Sequence, residues 1–346
     1  MNGLPSTAPD IIWIAGDQSC PTQTKASSIY YNSSSYLSVL AATQPFYNSF
    51  TPLLQGYFTP SQIGFNNAYN VFDYLNVGYI HNTTIFNNIT AEQLFQLRTL
   101  ADAFSFNLVY NASNPNASIG GMTLAYNVLT HLNQTVSQSS PALKITYFAS
   151  AYSVMLAFWG LTNLTAASPN FYGLPDYAST MAFELLRPAN ATGFNDLSVR
   201  FGFRNGSNPS TELEYFPMFG SNSTEMSWND WSAAMSNISI DTVGQWCSVC
   251  NATSFAFCTG SGATALSASS SSGSAGGASA AESSSSSGSG LTLADAGGIG
   301  AGVTIGVIAI IEGLIALWYF STRKPKASVE KTPSVAGSGG EAGTPP

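Results

Sequence analysis

The chain has 346 residues, of which 45% are hydrophobic and only 8% are charged, and its formal net charge is −8. Soluble domains typically carry about 25% charged residues, so other groups must keep this surface solvated. The acidic balance argues against nucleic acid and anionic membrane surfaces as partners.

The first residues lack the features of a secretory signal peptide. They contain no basic region, and their apolar stretch is confined to residues 11–14. We therefore expect the chain to begin inside a longer protein, because the exported ectodomain inferred below needs an export signal. The run 11–15 is short and continuously apolar, which predicts a strand buried on both faces.

The middle of the chain predicts three helices and one strand. Residues 90–93 read Thr-Ala-Glu-Gln, a capping box that opens a helix ending near Tyr110. A second helix is predicted over 119–136, where apolar residues share one face. Alternation over 143–147 predicts a strand, and the apolar run 154–161 predicts the third helix.

Three further strands are predicted at 180–186, 199–204 and 213–219, with a turn at Asn205-Gly206 between the last two. Strands interleaved with helices predict an α/β fold, in which a mixed sheet is flanked by helices. We assign this ectodomain to residues 1–258.

A membrane span is predicted over residues 296–320. The run contains one ionisable side chain, Glu312, and at about 1.5 Å rise per residue it covers a hydrocarbon core roughly 30 Å thick. Basic residues at 323–326 follow it, which places the tail, residues 321–346, in the cytosol. The ectodomain then faces the lumen or the cell exterior. This is a single-pass type I arrangement in the plasma membrane or a secretory-pathway membrane.

Low-complexity sequence flanks the predicted span. Residues 259–295 consist mostly of Ser, Gly, Ala and Thr, which predicts a flexible, O-glycosylated stalk. The tail is short and predicted to be disordered. Within the span, Gly298, Gly302 and Gly306 form two GxxxG steps that would let two helices approach closely. The pattern fits a homodimer through the span, and it equally fits glycine as a common residue of single spans.

Twelve Asn-X-Ser/Thr acceptor sites could keep the ectodomain surface solvated. All precede the span and none follows it, which agrees with the charge-based topology, because such sites are glycosylated only on the lumenal side. The acceptor residues are Asn32, Asn82, Asn88, Asn111, Asn116, Asn133, Asn163, Asn190, Asn205, Asn222, Asn237 and Asn251.

The four cysteines are predicted to form disulfides, because their number is even and the ectodomain would lie in an oxidising compartment. Three connectivities are open, and one of them closes a local loop between Cys250 and Cys258; Cys20 and Cys247 are the other candidates. The CxxC at 247–250 could also be a redox motif or half a zinc site, but no second CxxC and no nearby histidine accompany it. No metal or other cofactor is predicted.

Seven segments of the ectodomain carry a family resemblance. They read AEQLFQLRTLADAFSFNLVYN at 91–111, GGMTLAYNVLTHLN at 120–133, ITYFASAYSVMLAFWGLTNL at 145–164, LPDYASTMAFELL at 174–186, LSVRFGFRNGS at 197–207, YFPMFG at 215–220 and WCSVCNATSFAFC at 246–258. In this order they resemble the C-terminal half of fungal histidine acid phosphatase-like proteins, which belong to the branched histidine phosphatase superfamily. The resemblance covers roughly residues 10–258, and it implies a histidine-phosphatase-like fold that is incomplete at its N-terminus.

The resemblance also implies a phosphoryl-transfer mechanism whose motifs this chain lacks. The family uses an Arg-His-Gly-x-Arg-x-Pro motif, whose histidine attacks phosphorus, and a later His-Asp pair at a strand end that protonates the leaving group. The chain has no Arg-His dipeptide, and neither of its histidines, His81 and His131, is beside an arginine. The strand end that should carry His-Asp has other residues: Ala149, Ser150, Ala151 and Tyr152. We therefore predict no catalytic residue.

Two pairs of charged residues have a structural and a functional interpretation. Arg98 and Asp102 are one helical turn apart, which favours a structural i,i+4 ion pair over a binding site. Arg200 and Arg204 share a strand face, where they could bind an anion but are expected to be ordinary outward residues.

The resulting hypothesis is a membrane-anchored, glycosylated, catalytically inactive surface protein that binds or scaffolds. One alternative is a tethered acid phosphatase of phosphomonoesters whose N-terminal motif is missing from this chain, and another is a cell-wall sensor or tether. The partners expected are the membrane, a second copy through the span, and a phosphorylated small molecule or a wall polymer.

Overall fold

The computed structural model describes residues 8–137 and 144–259. Its α-helices are α1 (Ile12–Ala15), α2 (Pro21–Ser28), α3 (Ser34–Asn48), α4 (Thr51–Leu54), α5 (Ala68–His81), α6 (Thr83–Asn88), α7 (Ala91–Val109), α8 (Ile119–Val136), α9 (Tyr152–Leu161), α10 (Leu164–Ala167), α11 (Trp228–Ile238) and α12 (Val243–Cys250). Its strands are β1 (Thr180–Leu186), β2 (Ser198–Arg204), β3 (Glu214–Phe216) and β4 (Glu225–Ser227). The described chain is therefore a mixture of helix and sheet, with all of its strands in the second half.

The three helices predicted in the middle of the chain are confirmed. At the start of α7 the Thr90 side chain accepts a hydrogen bond from the Gln93 amide, and Gln93 accepts one from the Thr90 amide. α8 has the predicted bounds, and α9 begins at Tyr152, two residues earlier than predicted. Residues 154–160 of α9 are all buried, so this helix lies at the centre of the fold.

The sheet is antiparallel throughout the described residues, which corrects the mixed sheet predicted from sequence. β2 is central: β1 pairs with it along the whole length of both strands, and the short β3 and β4 also pair with it. Parallel neighbours need a long crossover connection, and only a loop of irregular and 3-10 structure joins β1 to β2. At the predicted turn Asn205-Gly206 the chain bends after β2, with Gly206 at φ +80°, but the connection to β3 extends over residues 205–213.

Two segments predicted as strands are not strands. Residues 11–15 belong to a 3-10 turn, Pro9–Ile11, and to α1, whose Ile12 is buried in one cluster with Ile119 of α8. A five-residue apolar run suits a buried strand and a buried helical turn equally well. Residues 144–150 have no regular structure and share no backbone hydrogen bond with another described residue. Without a neighbouring strand their alternating pattern cannot form a ladder; Leu143 lies outside the described residues.

The buried side chains form two clusters. The larger contains Trp159 and Trp231 and joins the helices to the sheet through Phe201 of β2. The smaller joins α1 and α8 to α12, and Trp246 is fully buried in it. The indole N–H of Trp246 donates to the Gly16 carbonyl at 2.9 Å, so the first and last described helices are held together.

All four cysteines form disulfides, as predicted, but the local Cys250–Cys258 loop does not form. Cys20 is bonded to Cys250, and Cys247 is bonded to Cys258. Cys250 is fully buried toward the smaller cluster, where Cys20 lies, whereas Cys247 is only partly buried and bonds to the turn Ala256–Cys258. Because Cys247 and Cys250 have different partners, the CxxC is not a redox pair.

None of the described helices is long and apolar enough to cross a membrane. The predicted span 296–320, with Glu312 and the glycines Gly298, Gly302 and Gly306, lies outside the described residues. So do the tail, 321–346, and the stalk from residue 260 onward.

Candidate functional site

The residues at the predicted general-acid position lie in a loop and the first turn of α9, and not at a strand end. Ala149 and Ala151 are exposed, and the Ser150 hydroxyl donates to the Ile14 carbonyl at 2.6 Å. Tyr152 is partly buried, and its ring centroid is 4.6 Å from that of Tyr69. None of these four side chains is a carboxyl or an imidazole.

Tyr152 is a poor replacement for a general acid. Burial and the neighbouring Tyr69 raise the pKa of Tyr152 to about 12. A general acid is most effective when its pKa lies near the operating pH, because it must release its proton during the reaction. A phenol that holds its proton this firmly gives little help to a leaving group.

Two carboxylates that the sequence analysis did not single out flank Tyr152. Ser153 donates to Asp17 Oδ2 at 2.7 Å, and the Tyr177 hydroxyl donates to Asp73 Oδ1 at 2.5 Å. Asp17 Oδ1 is buried and has no hydrogen-bond partner among the described residues. Asp17 follows α1 and Ser153 is 136 positions away, so only the tertiary structure reveals this pair.

The two histidines lie on different helices, α8 and α5. His131 lies in α8 with its ring 4.9 Å from that of Phe148, and burial lowers its pKa below the usual value. His81 is exposed at the end of α5. Within the described ranges no ion pair involves either histidine.

A groove of about 760 Å³ provides the clearest place for a ligand. Its lining residues come from α7, from the segment 169–176, and from the end of β2 through β3. Trp159 of α9 and Phe171 are both buried and contribute to its surface. Its polar side chains include Arg98, Asp102 and Asp176.

Arg98 is fully engaged by groups of the protein itself. Its Nε donates to Asp102 Oδ1 at 2.9 Å, which confirms the predicted i,i+4 pair, and its Nη1 donates to Asp176 Oδ1 at 2.8 Å. Nη2 donates to the Leu174 carbonyl, and the guanidinium carbon lies 5.5 Å from the centroid of the Phe72 ring. The arrangement ties α7 to the segment that precedes β1.

The charges of this network affect each other. Burial alone would lower the pKa of Arg98, but the hydrogen bond to Asp176 and the charge of Asp102 raise it above its ordinary value. Burial raises the pKa of Asp102, while the Leu174 amide and Arg98 oppose that shift. An arginine held by two carboxylates and a carbonyl has little capacity left for a phosphate.

Replacing Arg98 by methionine is expected to lower the free energy of unfolding by about 2 kcal/mol. The change leaves Asp102 partly buried without its cation. The expected loss of stability therefore lies between the losses caused by breaking an exposed ion pair and a fully buried one. The matched control is Asp176→Asn. It should lower the free energy of unfolding less, because half of the Asp176 side chain is exposed, at 51% against 23% for Asp102. Urea unfolding followed by tryptophan fluorescence would measure both. Equal losses in the two variants would contradict this account.

The two arginines of β2 are also bonded to other groups of the protein. Arg200 pairs with Glu184 at 2.5 Å and lies over the Tyr215 ring, 4.0 Å from its centroid. Arg204 donates to the carbonyls of Thr211 and Asn208. Both therefore stabilise the sheet and its connection, as the structural interpretation predicts.

All twelve acceptor asparagines lie on the surface of the described chain, each of them exposed. Asn205 also lines the groove, where its Oδ1 accepts hydrogen bonds from the Asp176 amide and the Ser179 hydroxyl. For metal binding, no three His, Cys, Asp or Glu side chains converge within residues 8–137 and 144–259.

No protein-family model matches this chain, and no curated protein is significantly similar to it in sequence. The resemblance to histidine acid phosphatases therefore stays a prediction from the segments quoted above.

Proposed function

We propose that this chain is a membrane-anchored glycoprotein of histidine-acid-phosphatase-like type, whose ectodomain binds or scaffolds without transferring phosphoryl groups. The observation that carries the proposal is the environment of residues 149–152, where the resemblance places the general acid. Two alanines, a serine and Tyr152 with its raised pKa occupy this position. The loss of such a group typically slows proton transfer by about 10²- to 10⁴-fold.

The surface and the cysteines support an ectodomain exposed to an oxidising compartment. The acceptor asparagines are all exposed, so each is accessible for glycan attachment. Two disulfides, Cys20–Cys250 and Cys247–Cys258, suit the secretory pathway and the cell exterior. In this proposal the apolar run 296–320 anchors the domain to the membrane.

A binding role is supported by the groove beside α7. Its volume of about 760 Å³ falls within the range usual for ligand sites. Two of the aromatic rings that line it are exposed, Phe95 at 73% and Tyr172 at 50%. Exposed rings of this kind are common in recognition surfaces.

The second candidate is a tethered acid phosphatase, and the observation in its favour is Asp17. This carboxyl lies beside Ser153, next to the predicted general-acid position, and one of its oxygens has no hydrogen-bond partner among the described residues. A carboxyl group is one of the side-chain types that general acids use. The reaction would also require a nucleophilic histidine, and neither described histidine forms a hydrogen bond with Asp17.

The full chain, purified in detergent, is expected to release nitrophenol from p-nitrophenyl phosphate at acid pH no faster than a protein-free blank. A histidine acid phosphatase assayed in parallel provides the positive control, and circular dichroism checks that the chain is folded. Hydrolysis that falls in Asp17→Asn or His131→Ala would replace the binding proposal by the phosphatase one.

A further inference from the structure

We infer that the groove beside α7 binds a short oligosaccharide carrying free, protonated amino groups. The inference rests on the proposed binding function and names the class of its ligand. Four carboxylates line this groove, those of Asp102, Asp176, Glu212 and Glu214, against the single guanidinium of Arg98. A surface of this sign attracts cations and repels phosphates.

Glu212 and Glu214 are the carboxylates available to a ligand. Asp102 and Asp176 are already bonded to Arg98, whereas both glutamates are exposed and form no ion pair within the described chain. They are two positions apart at the start of β3, and both line the groove. The nearby Arg204 donates to two backbone carbonyls and is not part of the groove lining.

Aromatic rings provide a second kind of contact for the proposed ligand. Tyr172 and Phe106 form an edge-to-face pair with centroids 4.9 Å apart, and both line the groove together with Phe95 and Phe216. The face of such a ring attracts an ammonium group and also packs against the C–H face of a sugar. Carboxylates and the exposed rings of Phe95 and Tyr172 in one groove therefore favour a ligand that is both cationic and apolar on one face.

Amide side chains indicate that the ligand also carries hydroxyl groups. Asn107, Asn170 and Asn205 line the groove, and each amide has donor and acceptor atoms. Asn170 and Asn107 are exposed, so they can exchange bonds with water for bonds with hydroxyls. An amino sugar combines ammonium, hydroxyls and an apolar ring face in one unit, which a simple amine does not.

The glycan acceptor at Asn205 determines the protein used for the test. A glycan attached there would lie at the groove, so all titrations use the full chain with Ser207→Ala. This change removes the acceptor sequence and keeps the Asn205 side chain with its contacts to Asp176 and Ser179. Ser207 is exposed and not in a helix or strand, so folding should be unaffected.

The experiment is a calorimetric titration with two trisaccharides, one of glucosamine and one of N-acetylglucosamine. It is done at about pH 6, where the free amines are protonated. The glucosamine trimer should bind at least about tenfold more tightly than its uncharged counterpart, because only it carries charge. Binding should weaken as salt rises.

Variants locate the interaction in the groove. Glu212→Gln with Glu214→Gln should weaken binding of the glucosamine trimer at least about fivefold. Glu92→Gln with Glu225→Gln removes the same charge from exposed sites outside the groove and should change binding less than about twofold. Phe95→Ala tests the aromatic contribution, since this ring is mostly exposed and its loss should leave the fold intact.

Several results would overturn the inference. They are equal binding of the two trisaccharides, equal effects of the two double variants, or trilysine binding as tightly as the glucosamine trimer. Binding of neither trisaccharide would also remove this ligand class. The phosphatase assay is a separate measurement, so a negative titration leaves the proposed non-catalytic function standing.

Discussion

Replacing Cys20 and Cys250 by alanine is expected to lower the free energy of unfolding by about 5 kcal/mol. The bond joins residues 230 positions apart, and a crosslink over so long a loop restricts the unfolded chain strongly. Cys20 directly precedes α2 and Cys250 ends α12, so the bond also holds the two ends of the described chain against the cluster around Trp246. Urea unfolding under non-reducing conditions would measure the loss.

The second disulfide provides a matched control. Cys247 and Cys258 are only 11 positions apart, so their replacement by alanine should cost about 3 kcal/mol. Each double variant loses one bond and two sulfur atoms, and the pairs differ in the length of the loop they close and in burial, since Cys20 and Cys250 are fully buried and Cys247 and Cys258 only partly. A loss for the short loop equal to or greater than that for the long one would show that loop length does not control the effect.

Replacing Gly121 by valine is expected to lower the free energy of unfolding by about 3 kcal/mol, because the contact of α8 with α9 leaves no room for a side chain. A Cβ at this position would lie 2.6 Å from the amide nitrogen of Phe158 and 2.7 Å from the carbonyl carbon of Ala157. These are backbone atoms of a helix buried over 154–160, so they cannot rotate away as a flexible side chain could. Chemical unfolding followed by circular dichroism would measure the loss.

Gly193→Val is the control for this substitution. A Cβ at Gly193 would meet no atom within 4 Å, and the residue is exposed in an extended conformation. The change should alter stability by less than about 0.5 kcal/mol. If both valines had the same effect, the cost would come from loss of glycine in general and not from the contact between α8 and α9.

Much of the helical structure could be predicted because its signals are local. Thr90 and Gln93 satisfy each other's backbone amides within one turn, and this exchange needs no other part of the chain. The spacing of apolar residues in α8 requires only that one side of the helix be covered. The strands at 180–186 and 198–204 were likewise recognisable from composition and the turn at Asn205-Gly206.

The failed predictions depended on contacts with residues that are far away in the sequence. Residues 144–150 have a strand pattern but no strand beside them, and a ladder needs two strands. The run 11–15 is apolar enough for either structure, and its position beside α8 selects the helix. The cysteine pairing depended in the same way on which side of α12 each sulfur faces.

The candidate site was likewise predictable only where its contacts are local in the sequence. The sequence could indicate that residues 149–152 lack a histidine and that Arg98 pairs with Asp102, because both are statements about nearby residues. It could not indicate that Asp176 and the Leu174 carbonyl also bind Arg98, or that Asp17 lies beside Ser153. These partners are 76 to 136 positions apart in the chain.

The sequence by itself determined the low charge, the number of cysteines, the twelve acceptor asparagines and the capped helix α7, because each depends on residue identity or on spacing within a few turns. The tertiary structure alone decided the antiparallel sheet, the pairing of Cys20 with Cys250, and the groove in which Arg98 is neutralised and two glutamates are left without an ion pair. The reason is that strand pairing, burial and charge compensation depend on contacts between residues that are far apart in the sequence. Side-chain packing selects those contacts only when the whole chain folds.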